Sequence, residues 1–213
     1  MPAIISTAHQ KGGVGKTTLI LNIYGHLKAN GFKCAVVDAD PQGSISYLCD
    51  RLKHKDGWKA VELIKRESFS NFSDLVGLEQ YDVLLIDTPP YLSNIMPQIF
   101  QISDFVLIPC KASPLDAIAI ENTLEFIKQG LVKNPNLKAG IVMNMTIAGT
   151  GFNKEVRAIL EQHDFPVLET EIGNRIAYSR SLLLSPSVAV EKNAKAKKEI
   201  DLLITEIFKI IKS

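Results

Sequence analysis

The chain has 213 residues, of which 46% are hydrophobic and 22% are charged, and its 24 lysine and arginine residues against 23 aspartate and glutamate residues give a formal net charge of +1. This composition is typical of a compact globular protein with a sizeable core, and it excludes disordered, collagen-like and low-complexity classes. A net charge so close to zero gives the whole chain no long-range attraction to nucleic acid or acidic lipid, so such binding requires a local basic surface.

Short apolar, β-rich runs alternate with longer amphipathic segments, which is typical of βαβ units with a parallel sheet covered on both faces. The predicted strands are Ala3–Thr7, Cys34–Asp38, Tyr81–Asp87, Phe105–Cys110, Ala139–Asn144 and Pro166–Thr170. The predicted helices are Thr17–Asn30 with Gly31 after its end, Ser93–Ile102, Leu115–Gly130, Asn153–Gln162 and about Glu191–Lys212. We therefore predict an α/β fold, a mostly parallel twisted sheet with helices on both faces.

Two stretches do not follow this alternation. In Asp50–Leu78 the segment Gly57–Ile64 is expected to form a short helix, and Thr146–Gly151 is expected to be a loop. The sequence contains neither an internal repeat nor a Pro/Gly/Ser-rich linker, so it predicts a single domain over residues 1–213.

The cysteines and the apolar runs indicate the compartment. Cys34, Cys49 and Cys110 are odd in number and widely spaced, and their spacing fits neither a C-x-x-C pair nor a metal site. We expect buried or idle thiols in a reducing compartment. The chain has no basic, apolar leader and no run of about 18 apolar residues, which together predict a cytoplasmic protein.

The strongest functional signal lies between the first predicted strand and the first predicted helix. It is the sequence Lys11-Gly12-Gly13-Val14-Gly15-Lys16-Thr17-Thr18. Glycines let successive backbone N–H groups point at phosphate oxygens, and the positive end of the following helix adds to the attraction. We expect Lys16 to contact the β- and γ-phosphates and the hydroxyl of Thr17 to bind Mg²⁺.

Acidic residues follow two of the predicted strands, Asp38 and Asp40 after one and Asp87 after another. Because the carboxyl ends of parallel strands meet at one edge of a sheet, these carboxylates are expected near the phosphate loop. Asp87 ends an apolar strand and is suited to accept hydrogen bonds from Mg²⁺-bound water, whereas Asp40 is better placed for the attacking water.

The phosphate motif departs from the general pattern G-x-x-x-x-G-K-[ST], because Gln10 replaces the first glycine and a second lysine, Lys11, follows it. In this form it resembles the deviant Walker A motif of the ParA/MinD class of ATPases. Val37–Gln42 resembles the switch I of that family, Asp87–Pro90 its switch II, and the resemblance continues through Ile108–Asp116 and covers nearly the whole chain. Short ParA partition ATPases of plasmids, without an amino-terminal DNA-reading domain, are the most similar, since ten residues precede Lys11.

The resemblance implies a homodimer that encloses and hydrolyses MgATP, with Lys11 reaching the partner's phosphates and Gly12 permitting close approach of the chains. Asp40 would orient the water, and Asp38 would support the Mg²⁺ shell. Asn144 lies where relatives use asparagine on the adenine edge, although a turn-forming role at the strand end is an equal alternative. The implied catalytic residues are Lys11, Lys16 and Asp40; the nucleotide-binding residues are Lys11, Gly12, Gly13, Val14, Gly15, Lys16, Thr17, Thr18 and Asn144; the metal-binding residues are Thr17, Asp38 and Asp87.

The resemblance further implies ATP-dependent, sequence-independent DNA binding on the nucleoid, and a partner protein, either a centromere-binding ParB-type protein or a small adaptor, that stimulates hydrolysis. DNA binding requires a basic surface. A solvated helix face is the alternative interpretation of the lysine run, which Glu191 and Glu199 flank. The candidate DNA-binding residues are Arg175, Arg180, Lys192, Lys195, Lys197 and Lys198.

Three other functions are considered. The last helix has a wide apolar stripe, which a MinD-like membrane ATPase would use. The sequence contains no linker before it, and its acidic residues disfavour an anionic surface, so membrane binding is not expected. A carrier of a metal cluster would need paired cysteines. A ParA-like ATPase that positions a non-DNA cargo would use the same chemistry.

The histidines, His9, His26, His54 and His163, are expected to be solvated or on helix faces.

Overall fold

The computed structural model describes residues 1–91, 93–149, 151–190 and 193–213, and these residues form the predicted α/β fold. Seven strands form one sheet in the order β3-β2-β4-β1-β5-β6-β7, and every neighbouring pair is parallel. The central strand is β1, so the loop that follows it opens at the middle of the carboxyl edge. The strands are β1 Ala3–Thr7, β2 Cys34–Asp38, β3 Leu63–Lys65, β4 Val83–Asp87, β5 Phe105–Lys111, β6 Lys138–Thr146 and β7 Val167–Gly173.

Helices cover both faces of the sheet. Neighbouring side chains of β1 point to opposite faces, so Ile4 packs in the cluster formed with α4 to α7, whereas Ile5 packs in the cluster formed with α1 and α9. The helices are α1 Lys16–Ala29, α2 Ser44–Leu52, α3 Asp56–Lys59, α4 Met96–Ile102, α5 Pro114–Ala119, α6 Glu121–Lys133, α7 Phe152–Leu160, α8 Ile176–Ser181 and α9 Ala194–Lys212, with 3₁₀ turns at Arg66–Ser68, Phe72–Gly77 and Val188–Val190.

The structure corrects three of the expected elements. The short helix expected at Gly57–Ile64 forms only over its first three residues, because α3 ends at Lys59 and β3 then pairs with β2 through residues 63–65. The predicted helix Leu115–Gly130 is divided into α5 and α6. The last helix begins at Ala194 rather than Glu191, which lies outside the described residues, as does Thr150 of the predicted loop.

The cysteines occupy three different elements. Cys34 begins β2, Cys49 lies in α2 and Cys110 lies near the end of β5, and all three thiols are free. Burial raises the pKa of Cys34 and of Cys110 to about 12. These side chains are therefore protonated thiols at pH 7.

Helix α9 packs on β7 and α1. The centre of its apolar stripe, which includes Ile200, Leu203 and Ile207, is fully buried in the core, whereas Leu202 is 46% exposed. The carboxylate of Glu206 accepts hydrogen bonds from the backbone N–H groups of Glu169 and Thr170, at 2.7 and 3.0 Å. The centre of the stripe is therefore covered by the fold. Within the described part of the chain, no helix combines the length and apolarity needed to cross a membrane.

The chain's one tryptophan joins α3 to the segment that follows α8. Trp58 is 2% exposed, and its indole N–H donates a hydrogen bond to the carbonyl of Leu182 at 3.1 Å. The neighbouring Gly57 lies against Ser185 so closely that an added Cβ would be 2.5 Å from the Cβ of that serine. Trp58 therefore fills a site with little free space.

We expect Trp58→Ala to lower the free energy of unfolding by about 3–5 kcal/mol, the usual cost of deleting a large buried ring. Trp58→Phe keeps most of the packing and loses the hydrogen bond, so it should cost about 1–3 kcal/mol. Urea denaturation followed by circular dichroism measures both, since each substitution removes the tryptophan fluorophore. A cost below about 1 kcal/mol for the alanine variant would contradict this packing role.

Candidate functional site

The loop Lys11–Thr18, hereafter the P-loop, turns tightly into α1. Gly13 and Gly15 have φ angles of 72° and 98°, a backbone region that favours glycine. Gly15 precedes the first turn of α1, and a Cβ on it would lie 2.3 Å from Nδ2 of Asn144. Both conformation and space therefore require glycine here. Since glycine has no side chain to cap the helix, the first N–H groups of α1 are available to an anion.

The ammonium group of Lys16 lies within the P-loop. The residue is 6% exposed, and its Nζ donates hydrogen bonds to the carbonyl oxygens of His9 and Lys11, at 3.1 and 3.3 Å. Burial lowers the pKa of Lys16, an effect that the carboxylates of Asp87 and Asp40 oppose. The loop therefore holds a cation beside the start of α1, as phosphate binding requires.

Two residues before the P-loop anchor it to the fold. Gln10 stands where the general motif has glycine. Its side-chain amide donates to the carbonyl of Ala119 at 2.8 Å, and its backbone N–H donates to Thr123 Oγ1. The prediction of a solvated or helix-face His9 is wrong. This residue is 1% exposed, its Nδ1 accepts the backbone N–H of Lys11, and burial lowers its pKa to about 4. His9 is therefore a neutral, structural part of the loop.

Two buried aspartates lie next to Thr17. Asp38 and Asp87 are register partners at the ends of β2 and β4, and the hydroxyl of Thr17 donates to Asp87 Oδ2 at 2.7 Å. Asp38 Oδ2 accepts the backbone N–H and the hydroxyl of Ser46. Within the described residues, the Oδ1 atoms of both aspartates are buried without a hydrogen-bond partner.

These residues fit a small hard cation. Burial raises the pKa of Asp87 to about 7, the Thr17 hydrogen bond and Lys16 oppose this, and Asp38 adds to it. Mg²⁺ prefers oxygen ligands and takes few of them from protein. Buried, unpaired carboxylate oxygens beside a threonine hydroxyl meet that preference, so Thr17, Asp87 and Asp38 would hold Mg²⁺ directly or through water.

Asp40 faces the P-loop across a cavity of about 370 Å³. Its Oδ1 accepts the backbone N–H of Gln42, which fixes the carboxylate in a tight turn. The cavity brings together most of the nucleotide-binding and catalytic residues that the sequence predicted. It is lined by Gly12, Gly13, Gly15, Lys16, Thr17, Thr18, Asp40, Gln42, Ser44, Thr88 and Pro90.

Lys11 lies at the rim of this cavity rather than in its lining. Its Nζ forms an ion pair with Asp116 Oδ1 at 3.0 Å and donates to the carbonyl of Leu115 at 3.1 Å, both in α5. Within one chain, the side chain is therefore engaged with α5. Its contact with a partner's phosphates stays a prediction.

Asn144 supports the P-loop from β6. Its amide Nδ2 donates to the carbonyl of Val14 at 2.7 Å, its Oδ1 accepts the N–H of Met145, and the side chain is buried. Asn144 also lines a narrow cavity beside Gly15, so its role at a base edge stays a prediction.

The sequence did not predict the other wall of this narrow cavity, and it indicated Arg175 only as a candidate DNA-binding residue. This wall consists of residues at and after the end of β7, which form no recognisable motif; the position after a strand's carboxyl end was the one available signal. These residues are Ile172, Gly173, Asn174, Arg175, Tyr178 and Ser179.

The candidate DNA-binding residues differ in their availability. The guanidinium group of Arg175 is held by the carboxylate of Glu199, so it is not a free cation. Arg180, Lys195 and Lys198 are exposed and Lys197 is half-buried, and the three lysines lie in the first turns of α9. Lys192 lies outside the described residues.

Comparison with known proteins gives a consistent result. Residues 5–184 match the CobQ/CobB/MinD/ParA nucleotide binding domain. The chain is 32% identical over 211 residues to the maintenance of carboxysome distribution protein A of Halothiobacillus neapolitanus, covering 95% of each chain. It is 30% identical over 193 residues to the chromosome-partitioning ATPase Soj of Thermus thermophilus, covering 75% of this chain and 76% of that one.

A solved structure shares the fold. Cobyrinic acid a,c-diamide synthase from Mycobacterium smegmatis, with a bound ATP analog and magnesium, has a TM-score of 0.76 at 21% identity, covering 100% of this chain and 96% of that chain.

We expect Asp87→Asn to stabilise the protein at high pH when nucleotide and Mg²⁺ are absent. The pKa of Asp87 rises from 3.8 to about 7 on folding. The folded state therefore binds more protons between these values, and wild-type stability falls as pH rises through this window. Removing the charge should raise the melting temperature at pH 8 by about 5 °C and at pH 5 by less. A change of 1 kcal/mol in the free energy of unfolding shifts the melting temperature of a chain of this size by about 2–4 °C.

Scanning calorimetry at both pH values measures this effect. The same variant should lose the stabilisation that MgATP gives the wild type, because a metal ligand is gone. A melting temperature that falls equally at both pH values would contradict the assignment of Asp87 as a carboxylate whose charge is disfavoured by burial.

Proposed function

This chain belongs to the CobQ/CobB/MinD/ParA nucleotide-binding family, and we propose that it is a ParA-type ATPase that uses MgATP binding and hydrolysis to switch a homodimer on and off DNA. The observation that carries the proposal is the arrangement around one cavity, which the P-loop and Asp40 line. The buried pair Asp38 and Asp87 adjoins this lining, because the Thr17 hydroxyl donates to Asp87 and Asp38 is the register partner of Asp87. The P-loop supplies phosphate contacts, the two buried aspartates supply a cation site, and Asp40 supplies a carboxylate that can contact the attacking water.

The roles of the chain's own groups follow from this geometry. The first N–H groups of α1 and the ammonium of Lys16 bind phosphate oxygens, for which Lys16 exchanges the carbonyls of His9 and Lys11. Mg²⁺, when bound, supplies positive charge that stabilises the transferring phosphoryl group. Asp40 accepts a hydrogen bond from the attacking water and so orients it.

Dimerisation is supported by exposed apolar side chains at the carboxyl edge of the sheet. Each follows the carboxyl end of a strand, and the most exposed are Leu115 at 75% and Ile176 at 83%. Apolar surface concentrated at one edge is typical of a contact face. The side chains are Tyr91, Leu115, Ile118, Phe152 and Ile176.

Lys11 lies on this same edge, paired with Asp116. Its Nζ is 3.0 Å from Asp116 Oδ1, and the lysine side chain is 38% exposed, so little desolvation opposes exchange of partners. In the ATP-bound dimer we place this ammonium on the phosphates of the partner chain, where it neutralises charge that develops during transfer.

Asp40→Ala should retain ATP binding and dimerisation but lose about 100-fold in turnover, because the water is no longer oriented. Lys11→Ala should lose both dimerisation and turnover, and retain monomeric nucleotide binding. Phosphate release and light scattering with a slowly hydrolysed ATP analogue measure these effects.

The matched control is Lys133→Ala, which removes an exposed lysine at the end of α6. It should behave as wild type. Normal turnover in Asp40→Ala would remove that residue from the mechanism, and normal dimerisation in Lys11→Ala would make Lys11 a surface charge.

DNA binding is supported by the basic start of α9. Lys195, Lys197 and Lys198 lie there, while the nearby charge of Glu199 is balanced by Arg175. Arg180 lies in α8, which contacts α9 through the hydrogen bond from the hydroxyl of Tyr178 to the carboxylate of Glu199. A dimer presents two such surfaces, so its affinity for a phosphate backbone exceeds that of the monomer, and DNA binding becomes ATP-dependent.

The proposed cargo is plasmid or chromosomal DNA, carried on the nucleoid in the cytoplasm, with a ParB-type protein or a small adaptor stimulating hydrolysis. The 30% sequence identity to a chromosome-partitioning ATPase supports a DNA cargo. A second candidate is a non-DNA cargo. It is favoured by the 32% identical relative named for the maintenance of carboxysome distribution, because the alignment with it covers 95% of each chain. The two candidates share the ATPase cycle and differ in the adaptor.

The variant Lys195→Ala/Lys197→Ala/Lys198→Ala should lose about tenfold or more in ATP-dependent DNA binding, with nucleotide binding unchanged. Its salt dependence should weaken by about 0.9 in log–log slope per lost phosphate contact. Co-sedimentation with non-specific DNA, and separately with anionic liposomes, measures this without nucleotide, with ADP and with a slowly hydrolysed ATP analogue.

The control variant Lys53→Ala/Lys55→Ala/Lys133→Ala removes the same charge from exposed lysines elsewhere and should bind DNA normally. Equal losses of DNA binding in both variants would show that the loss comes from the change in net charge. ATP-dependent liposome binding without DNA binding would favour the membrane function.

A further inference from the structure

A polar network outside the phosphate cavity is centred on Glu199 of α9. Its carboxylate accepts hydrogen bonds from Arg175 Nε and Nη2, from the hydroxyl of Tyr178 at 2.7 Å, and from the backbone N–H of Gly173 at 3.3 Å. The glutamate side chain is 17% exposed. Ionised partners in a partly buried site make strong, geometrically specific hydrogen bonds.

All three partners of Glu199 line the narrow cavity beside the P-loop. Gly173, Arg175 and Tyr178 form its outer wall, opposite Gly15 and Asn144. Glu199 itself does not line the cavity. It therefore acts on the cavity only through the residues that it holds.

This narrow cavity adjoins the P-loop at Gly15 and Thr18, within reach of the base of a nucleotide whose phosphates occupy the P-loop. It measures about 70 Å³, so it can take one edge of a purine rather than the whole ring. Glu199 holds three residues of the outer wall by hydrogen bonds.

The state of Arg175 decides which base edge the wall favours. Two of its donor nitrogens are engaged by Glu199, so its guanidinium is directed at the carboxylate. A released arginine would offer two donors, which pair well with O6 and N7 of guanine. Adenine presents an amino donor in place of O6 and pairs poorly with arginine.

We propose that Glu199 is a specificity-determining positioning residue, which engages the guanidinium donors of Arg175 and keeps them from pairing with guanine, so that the cavity prefers adenine. This inference rests on the proposed function, because it assumes that a nucleotide occupies the P-loop.

Helix α9 supplies a matched control. Glu206 lies seven positions after Glu199, and it also binds β7, through the backbone N–H groups of Glu169 and Thr170. Both glutamates hold the same helix to the same strand. Only Glu199 contacts the wall of the narrow cavity.

The test is equilibrium binding of MgATP and MgGTP to wild type, Glu199→Gln, Glu206→Gln and the double variant Glu199→Gln/Arg175→Met. We expect Glu199→Gln to reduce the ratio of GTP to ATP dissociation constants about tenfold. Glu206→Gln should keep the wild-type ratio, and the double variant should recover much of it because the released guanidinium is gone. Should Glu199→Gln fail to fold, Glu199→Asp provides the same readout with a smaller expected change.

An unchanged ratio in a folded Glu199 variant would overturn the inference and leave the proposed function intact. Equal weakening of both nucleotides in the Glu199 and Glu206 variants would also overturn it, since that result indicates a purely structural role. Absence of MgATP binding to wild type would overturn the proposed function, and this inference with it.

Discussion

The buried ammonium of Lys16 is the charge on which the carboxyl edge of the sheet depends. Placing a cation away from water is costly unless hydrogen bonds and opposite charges offset the loss of solvation. The carbonyls of His9 and Lys11 and the carboxylate of Asp87 provide that compensation. The same cation leaves the loop prepared for phosphate. The glycine conformations, the buried aspartates and the central place of β1 are therefore parts of one electrostatic arrangement.

Much of the fold follows from the sequence because most of its strands are buried, apolar runs. β1 and β2 have the predicted limits, since a doubly covered strand cannot be confused with a surface segment. β3 was not predictable in this way, because three residues pairing at the edge of a sheet carry no periodic signal. The division of the predicted helix into α5 and α6 was equally invisible, because Ile120 between them keeps a helical backbone.

The phosphate site was predictable because its chemistry is local in sequence, whereas the narrow cavity was not. The P-loop presents its glycines and lysine within eight positions, each with a role that spacing reveals. The outer wall of the narrow cavity includes Gly173 and Arg175, and Glu199 reaches these two residues only through the docking of α9. Similarly, the burial of His9 results from packing at the end of β1, and a lone histidine in a sequence does not indicate it.

The contact of Glu206 with β7 limits how the molecule can assemble. The final strand of a sheet normally exposes main-chain donors that recruit a further strand from another protein. Here the carboxylate of Glu206 occupies two of these donors, and α9 covers the neighbouring surface. At the opposite border, β3 offers only three residues. Growth by strand addition is therefore disfavoured at both borders, which leaves the carboxyl edge of the sheet, where the P-loop lies, for the proposed self-association.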